Sequence, residues 1–383
     1  MQDKARQYSI IKHRIAIIGI FFKPLLLWIL LISNILPCFK NIAFFISGKE
    51  YVSLIIFYTL TGALYYIINL PFEFYSGFML EHRFSLSNQS LKDWMIREAK
   101  KNIIAFIISA PLAISLYAFL KISPLNWWIW TAFLWFFISI ILAKFAPAII
   151  VPLFYKYSPI KNTDLSQKLD LLVARFGFKA SGVYELNISK DTKKANAALL
   201  GLGKQKRIVL CDTLLSNFTH SEIEAVMAHE LGHHKLSHMW KLIISGGIFT
   251  FIIFFFANIL FLKLHNFFGY RMIWDYESIV LIYFTTTILS MPLIPVANIL
   301  SRKLEKDADE FALRATGNVS AFISTMKKLG EQNLADVNPG RIYEIMLYDH
   351  PPISRRIAFA ESFKGSTQNN PKQGLYQKTS GLV

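Results

Sequence analysis

Two cysteines in 383 residues, at positions 38 and 211, leave no room for a disulfide framework or a Cys-x-x-Cys metal pair. Charge is scarce as well: charged residues make up 17% of the chain, and acids are the scarcer kind, 25 against 41 bases. No self-similar period of about 20–50 residues recurs, which excludes a solenoid or a propeller. What is abundant is apolar, 54% of residues with 33 Phe and 8 Trp, and the mean hydropathy is +0.38. That composition excludes an ordinary soluble domain.

The apolar residues come in long uncharged runs at 52–70, 102–120, 122–143, 242–262 and 278–301. Each has the roughly 18 or more residues that a bilayer-crossing helix needs. A sixth, 15–39, is nearly as apolar but interrupted by Lys23 and Pro24, so its lysine must snorkel or face a wet interior. No small-x-small exit follows the first run, so a cleaved signal is not expected. Bases concentrate in the N-terminal arm, between Arg83 and Lys101, and between Lys156 and Lys241, while the alternate connections carry few. By the positive-inside rule, six spans place both termini and the 156–241 segment in the cytoplasm. The same flanking bases account for the net charge of +16. No nucleic-acid partner is therefore expected, and anionic lipid headgroups are the natural contact.

The spacing predicts a predominantly α-helical multi-pass membrane protein with a small α+β unit on its cytoplasmic side. Residues 1–155 read as an N-terminal membrane domain of four spans. Residues 156–364 read as a second unit, with a helix at 165–176, strands at 183–188 and 207–211, a histidine-rich helix and two further spans at 242–262 and 278–301. Residues 365–383 form a polar tail expected to be disordered.

The histidine-rich stretch is "AVMAHELGHHKLSHMW", 225–240. Ser221 and Glu224 have capping-box spacing, so the helix is expected to begin at Ser221. His229 and His233, four apart, then share one face and can bind one zinc ion. Glu230 completes an H-E-x-x-H pattern as a carboxylate able to take a proton from a zinc-activated water without being a ligand. His234 and His238 are expected to be bystanders.

A catalytic zinc needs a third protein ligand. In "SRKLEKDADEFA", 301–312, Glu305 and Asp309 share a helical face. Glu305 is the expected ligand and Asp309 a carboxylate that orients a ligand histidine. The fifth and sixth spans form a hairpin, so both segments leave the membrane on the same side and the three ligands converge at its surface.

These residues resemble the integral-membrane zinc metallopeptidases of the CAAX prenyl protease 1 family. "AVMAHELGHHKLSH" is similar to that family's zinc-binding helix, and "NILSRKLEKDADEFA" to its Glu-x-x-x-Asp segment. "DHPPISRRI" resembles its His-Pro-Pro-x-x-x-Arg motif, "NAALLGLGKQKRIVLCDTLL" its substrate-edge strand, and "FYSGFMLEHRFSLSNQSLKDW" a loop after an N-terminal span. The resemblance implies zinc ligands His229, His233 and Glu305, with Glu230 as base and one zinc ion per chain. It implies that His350 and Arg356 hold the polarised carbonyl oxygen or the substrate backbone, and that Asn196 and Ala197 pair with extended substrate. It further implies about six transmembrane helices ringing a water-filled chamber, with which Lys23, Glu73 and Pro147 are compatible.

The function so implied is removal of the C-terminal tripeptide from prenylated Cys-a-a-X proteins. The alternatives are a broad-specificity quality-control protease for membrane proteins, or a non-catalytic membrane chaperone with structural zinc. Expected partners are a peptide or protein substrate, prenylated in the first reading, and membrane lipids. The composition suggests an AT-rich bacterial genome, so the expected location is a bacterial inner membrane, or the endoplasmic reticulum in a eukaryote.

Overall fold

The structure is a computed structural model and describes residues 2–200 and 205–368. Its first helix, α1, spans Gln2–Ile32 and passes through Lys23 and Pro24 without a break. Proline is tolerated in such helices because neighbouring helices and local adjustment satisfy the freed backbone groups. The expected run 15–39 is instead divided at Ser33 and Asn34, and a short α2 follows over Ile35–Ile46.

α3, Glu50–Phe74, continues through a π-helical segment, Tyr75–Met79, into α4, Leu80–Arg83. α5 covers Leu91–Ile122, its first turn capped by Ser90 Oγ, which accepts from the Asp93 N–H at 3.1 Å. α6 is Trp127–Ile149. The expected run 122–143 thus begins too early, because a turn at Ser123–Asn126 separates α5 from α6 and hydropathy cannot register a short polar-poor turn.

After a 3-10 turn at Val151–Leu153 the chain forms β1 (Tyr157–Pro159), α7 (Thr163–Arg175), β2 (Lys179–Leu186), β3 (Ala197–Leu200), β4 (Gln205–Cys211), α8 (Asp212–Asn217) and α9 (His220–Lys235). The sheet order is β1-β2-β4-β3, with β2 and β4 parallel and the outer strands antiparallel, so β3 is an edge. Leu169 and Val173 of α7, Ile208 and Leu210 of β4 and Leu231 of α9 are fully buried in one core beneath this sheet.

The cap of α9 differs from the sequence expectation. Thr219, not Ser221, is the N-cap, and Glu222, not Glu224, closes the capping box. Tertiary contacts decide between the two overlapping pairs: Glu222 is buried and bonded to Ser324 Oγ at 2.6 Å and Lys328 Nζ at 2.7 Å. Burial alone would raise its pKa, but Lys328, Ser324 and Thr219 outweigh that and hold it to about 2.

α10, His238–Phe268, returns through the apolar layer, followed by α11 (Tyr276–Ser290) and α12 (Leu293–Thr316). The expected straight span 278–301 is broken here, with α11 and α12 meeting at 52°. Pro292 lies at the bend and Pro295 in the first turn of α12, where a missing N–H is tolerated. α13 (Val319–Gln332), α14 (Arg341–Leu347) and α15 (Ile353–Gln368) complete the described chain. α15 carries helix into the start of the expected tail, and the remainder of that tail lies outside the described residues.

Among the described residues five helices are long and apolar enough to cross a membrane, six if the bent pair counts as one span. Side chains from α1, α3, α5, α6, α10 and α11 line a cavity of about 910 Å³. Its wall mixes apolar groups such as Leu30 and Phe254 with Tyr58, Tyr283 and Thr287. The fold is therefore a ring of membrane helices around a chamber, with a small sheet packed beside it. Thr250 lines the chamber about 18 Å along α10 from His238, and Glu305 lies about 18 Å along α12 from its start, at 1.5 Å per residue.

Candidate metal centre

α9 and α12 cross in direct contact because position 232 is glycine. A Cβ there would meet the Ala308 Cα and the Phe311 side chain at 3.2 Å. The close crossing brings Glu305 to the two histidines, and the three residues close a triangle of donor groups in which each carboxylate oxygen faces one imidazole. His229 Nε2 and His233 Nε2 are 3.1 Å apart, and Glu305 Oε2 and Oε1 lie 3.2 Å from one and the other.

That triangle can be tested against a tetrahedral zinc. Bonds of about 2.0–2.1 Å give a donor–donor edge of about 3.3 Å, close to what is found. Proton bookkeeping supports the same conclusion. His229 gives Nδ1 to Asp309 Oδ1 at 2.9 Å, leaving a lone pair on Nε2, and Glu305 Oε2 is buried with no hydrogen-bond partner among the described residues. Lone pairs facing one another in a buried site repel unless a cation sits among them. The donor set, two imidazoles and a carboxylate, suits zinc.

Asp309 is 1% exposed, and Arg356 grips it with Nε to Oδ2 at 2.8 Å and Nη2 to Oδ1 at 2.6 Å. The guanidinium thus gives its Nε and Nη2 to the carboxylate that orients His229. Glu230 is half-buried beside the triangle, and burial raises its pKa against the opposing pull of His229 and His233. His350 sits at the open side, half exposed, with Nε2 3.4 Å from Glu305 Oε1 and Nδ1 2.7 Å from Asp349 Oδ1. The Asp349 hydrogen bond, helped by Glu305, raises its pKa against burial.

Asn196 and Ala197 stand at the start of β3. The Cys211 N–H donates to the Asn196 carbonyl at 3.1 Å, and the Asn196 side-chain oxygen accepts from the Ala197 N–H at 2.9 Å. Strand alternation then turns the backbone of Ala197 and Leu199 away from β4, where the Ala197 N–H is held by Asn196 and the Leu199 carbonyl by His234. His234, expected to be a bystander, bonds the Leu199 carbonyl through Nε2, and its Nδ1 is 2.9 Å from Lys206 Nζ. Burial, reinforced by Lys206, pushes its pKa down to about 4, so it is neutral and ties the edge strand to the metal helix. The signal for Gly232 was present in H-E-L-G-H, since a glycine inside a helix otherwise costs about 1 kcal/mol relative to Ala.

Gly232→Leu is expected to force α12 away from α9 and weaken metal binding by about 5–150-fold, since overpacking costs about 1–3 kcal/mol. Gly246, where a Cβ would find nothing within 4 Å, is the matched control: Gly246→Leu should retain metal. Metal content after dialysis of the two purified variants checks this.

Comparison with known proteins agrees with the geometry. Residues 159–364 match the model of peptidase family M48, and residues 2–156 match that of the CAAX prenyl protease N-terminal region, described as five membrane helices. An uncharacterized metalloprotease of Bacillus subtilis is 27% identical over 95% of this chain and 86% of its own length. A CAAX prenyl protease 1 homolog of Arabidopsis thaliana is 30% identical over 93% of this chain and 86% of its own. The crystal structure of S. mikatae Ste24p superposes with a TM-score of 0.83 at 24% identity, covering 94% of this chain and 89% of that one, so the fold is shared.

Proposed function

The chain belongs to peptidase family M48 and is an integral membrane metalloprotease, and from that premise we propose that its metal is zinc and that it removes the C-terminal tripeptide of prenylated Cys-a-a-X proteins. The observation that carries the zinc reading is the triangle of His229, His233 and Glu305 donors with a carboxylate, Glu230, beside it. The substrate reading is supported by relatives named CAAX prenyl protease 1 along most of their length.

His229, His233 and Glu305 would hold the ion. Zinc bound there would supply Lewis acidity, polarising a carbonyl and making water acidic near neutral pH. Glu230 takes the proton of the attacking water and delivers it to the leaving amine. Asp309 fixes the proton of His229 on Nδ1, and Arg356 fixes Asp309. His350, open on one side, donates from Nε2 toward negative charge developing on the carbonyl oxygen. Asn196 and Ala197 begin the edge along which an extended peptide adds as a strand. With bases clustered beside alternate connections of the spans, the active site faces the cytoplasm, at a bacterial inner membrane or, in a eukaryote, at the endoplasmic reticulum.

A non-catalytic chaperone with structural zinc does not call for a carboxylate beside an open coordination position. The substrate reading is tested with a farnesylated Cys-a-a-X peptide and its unprenylated twin, each with and without phenanthroline. The expected result is chelator-sensitive cleavage at least about 10-fold faster with the lipid, about 1.4 kcal/mol of lipid-directed binding. Equal rates would replace it with the broad-specificity quality-control reading.

A further inference from the structure

One buried imidazole beside the centre has no part in the roles above. His238 opens α10, is 1% exposed, and places Nδ1 3.0 Å from Nδ1 of His233. Their rings meet at 75° with centroids 5.1 Å apart. Two imidazole nitrogens at that separation share a hydrogen bond, which needs one N–H and one lone pair.

The direction of that bond follows from the other side of His233. Its Nε2 faces Glu305 Oε1 and His229 Nε2, where a metal ligand must present a lone pair. A neutral imidazole carries a single N–H, so the proton of His233 is on Nδ1 and His238 accepts it with its own Nδ1. The Nε2 of His238, which then carries that ring's N–H, is buried and has no hydrogen-bond partner among the described residues, so His233 is the polar group this ring addresses.

The backbone is shaped for this contact. Had α9 continued as a helix, position 238 would lie five residues beyond 233, about 140° around the axis and out of reach. Instead the chain turns at Ser237, whose φ of 57° and ψ of 33° put a non-glycine residue in the left-handed region. That conformation costs of order 1–3 kcal/mol and persists where surrounding structure requires it. The turn carries the first side chain of α10 back over His233.

We propose that His238 is a positioning residue for the metal ligand His233: it accepts the Nδ1–H, fixes the tautomer and ring plane, and so aims the Nε2 lone pair at the ion. The two ligand histidines are then supported differently, His229 by the Asp309 carboxylate and His233 by a neutral imidazole. The proposal rests on the metal reading of the site.

The test is zinc affinity of the purified full-length protein in detergent, measured by competition with a chromophoric chelator, for the wild type, His238→Leu, His238→Asn and His238→Gln. Asn can place an acceptor oxygen near the position of Nδ1, whereas Gln places it near Nε2. The expected result is a loss of about 10–100-fold in His238→Leu and His238→Gln, with most of it recovered in His238→Asn. Wild-type affinity in His238→Leu, or equal losses in the Asn and Gln variants, would overturn the proposal while leaving the metal centre standing. A wild type that binds no zinc would overturn the metal reading and this proposal with it. The Asn and Gln pair decides the matter even where the Leu variant does not fold.

Discussion

Glu230→Gln is expected to keep its metal and lose its peptidase activity. The side chain is next to His229 in the chain but is not one of the three residues whose donor atoms close the triangle, so removing its charge leaves the ligand set intact. What the amide cannot do is accept a proton from water or return one to the leaving amine. General-base loss of this kind lowers kcat by roughly 10²–10⁴-fold, about 3–5 kcal/mol of transition-state stabilisation. The effect should fall on kcat with little change in KM, since no contact with the peptide backbone is removed. Metal analysis and single-turnover kinetics on the same preparation check both halves, and undiminished turnover would remove Glu230 from the mechanism.

Glu305→Gln is expected to do the opposite and empty the centre. The carboxylate presents one oxygen to each histidine at 3.2 Å and is 6% exposed, so little water is at hand to replace it. Losing a partner that merely supports a ligand costs about 10–100-fold in metal affinity; losing a direct anionic ligand should exceed that. The same substitution leaves Asp309 bonded to His229 and Arg356, so α9 and α12 stay joined. Dialysis against a weak chelator followed by metal analysis would show a vacant Glu305→Gln protein beside a loaded wild type. Retention of full metal in the variant would mean that the third ligand is another residue.

Much of the centre was legible in the sequence because helix geometry converts spacing into direction. A spacing of four from His229 to His233, and of four from Glu305 to Asp309, puts each pair on one face. The hairpin of the last two spans put those faces at one membrane surface. What sequence does not encode locally was missed. The choice of Thr219 and Glu222 over Ser221 and Glu224 depends on Ser324 and Lys328, more than one hundred residues away. The 52° break between α11 and α12 lies inside an uncharged run, where hydropathy has no term for direction and the local signal was Pro292. His234 and His238 looked superfluous because one site needs only two histidine ligands. Their partners, the Leu199 carbonyl and the back of His233, come from strand placement and from a left-handed turn at Ser237.

Function follows from how these parts are held. Gly232 lets two helices approach, the approach sets the donor triangle, and the pair of buried supports, Asp309 with Arg356 and His238, orients the donors. β3, tied to α9 through His234, offers its edge beside the same helix. The chamber of about 910 Å³ stands among the membrane helices, α10 included. Peptide bond cleavage is the activity of the family to which that arrangement belongs.

The most direct measurement is zinc K-edge X-ray absorption on the purified, metal-loaded protein. Stoichiometric zinc with only nitrogen and oxygen neighbours at about 2.0–2.2 Å, including the multiple-scattering signature of two imidazoles, is the expected result. A sulfur neighbour at about 2.3 Å, or a single imidazole, would contradict a centre built from His229, His233 and Glu305.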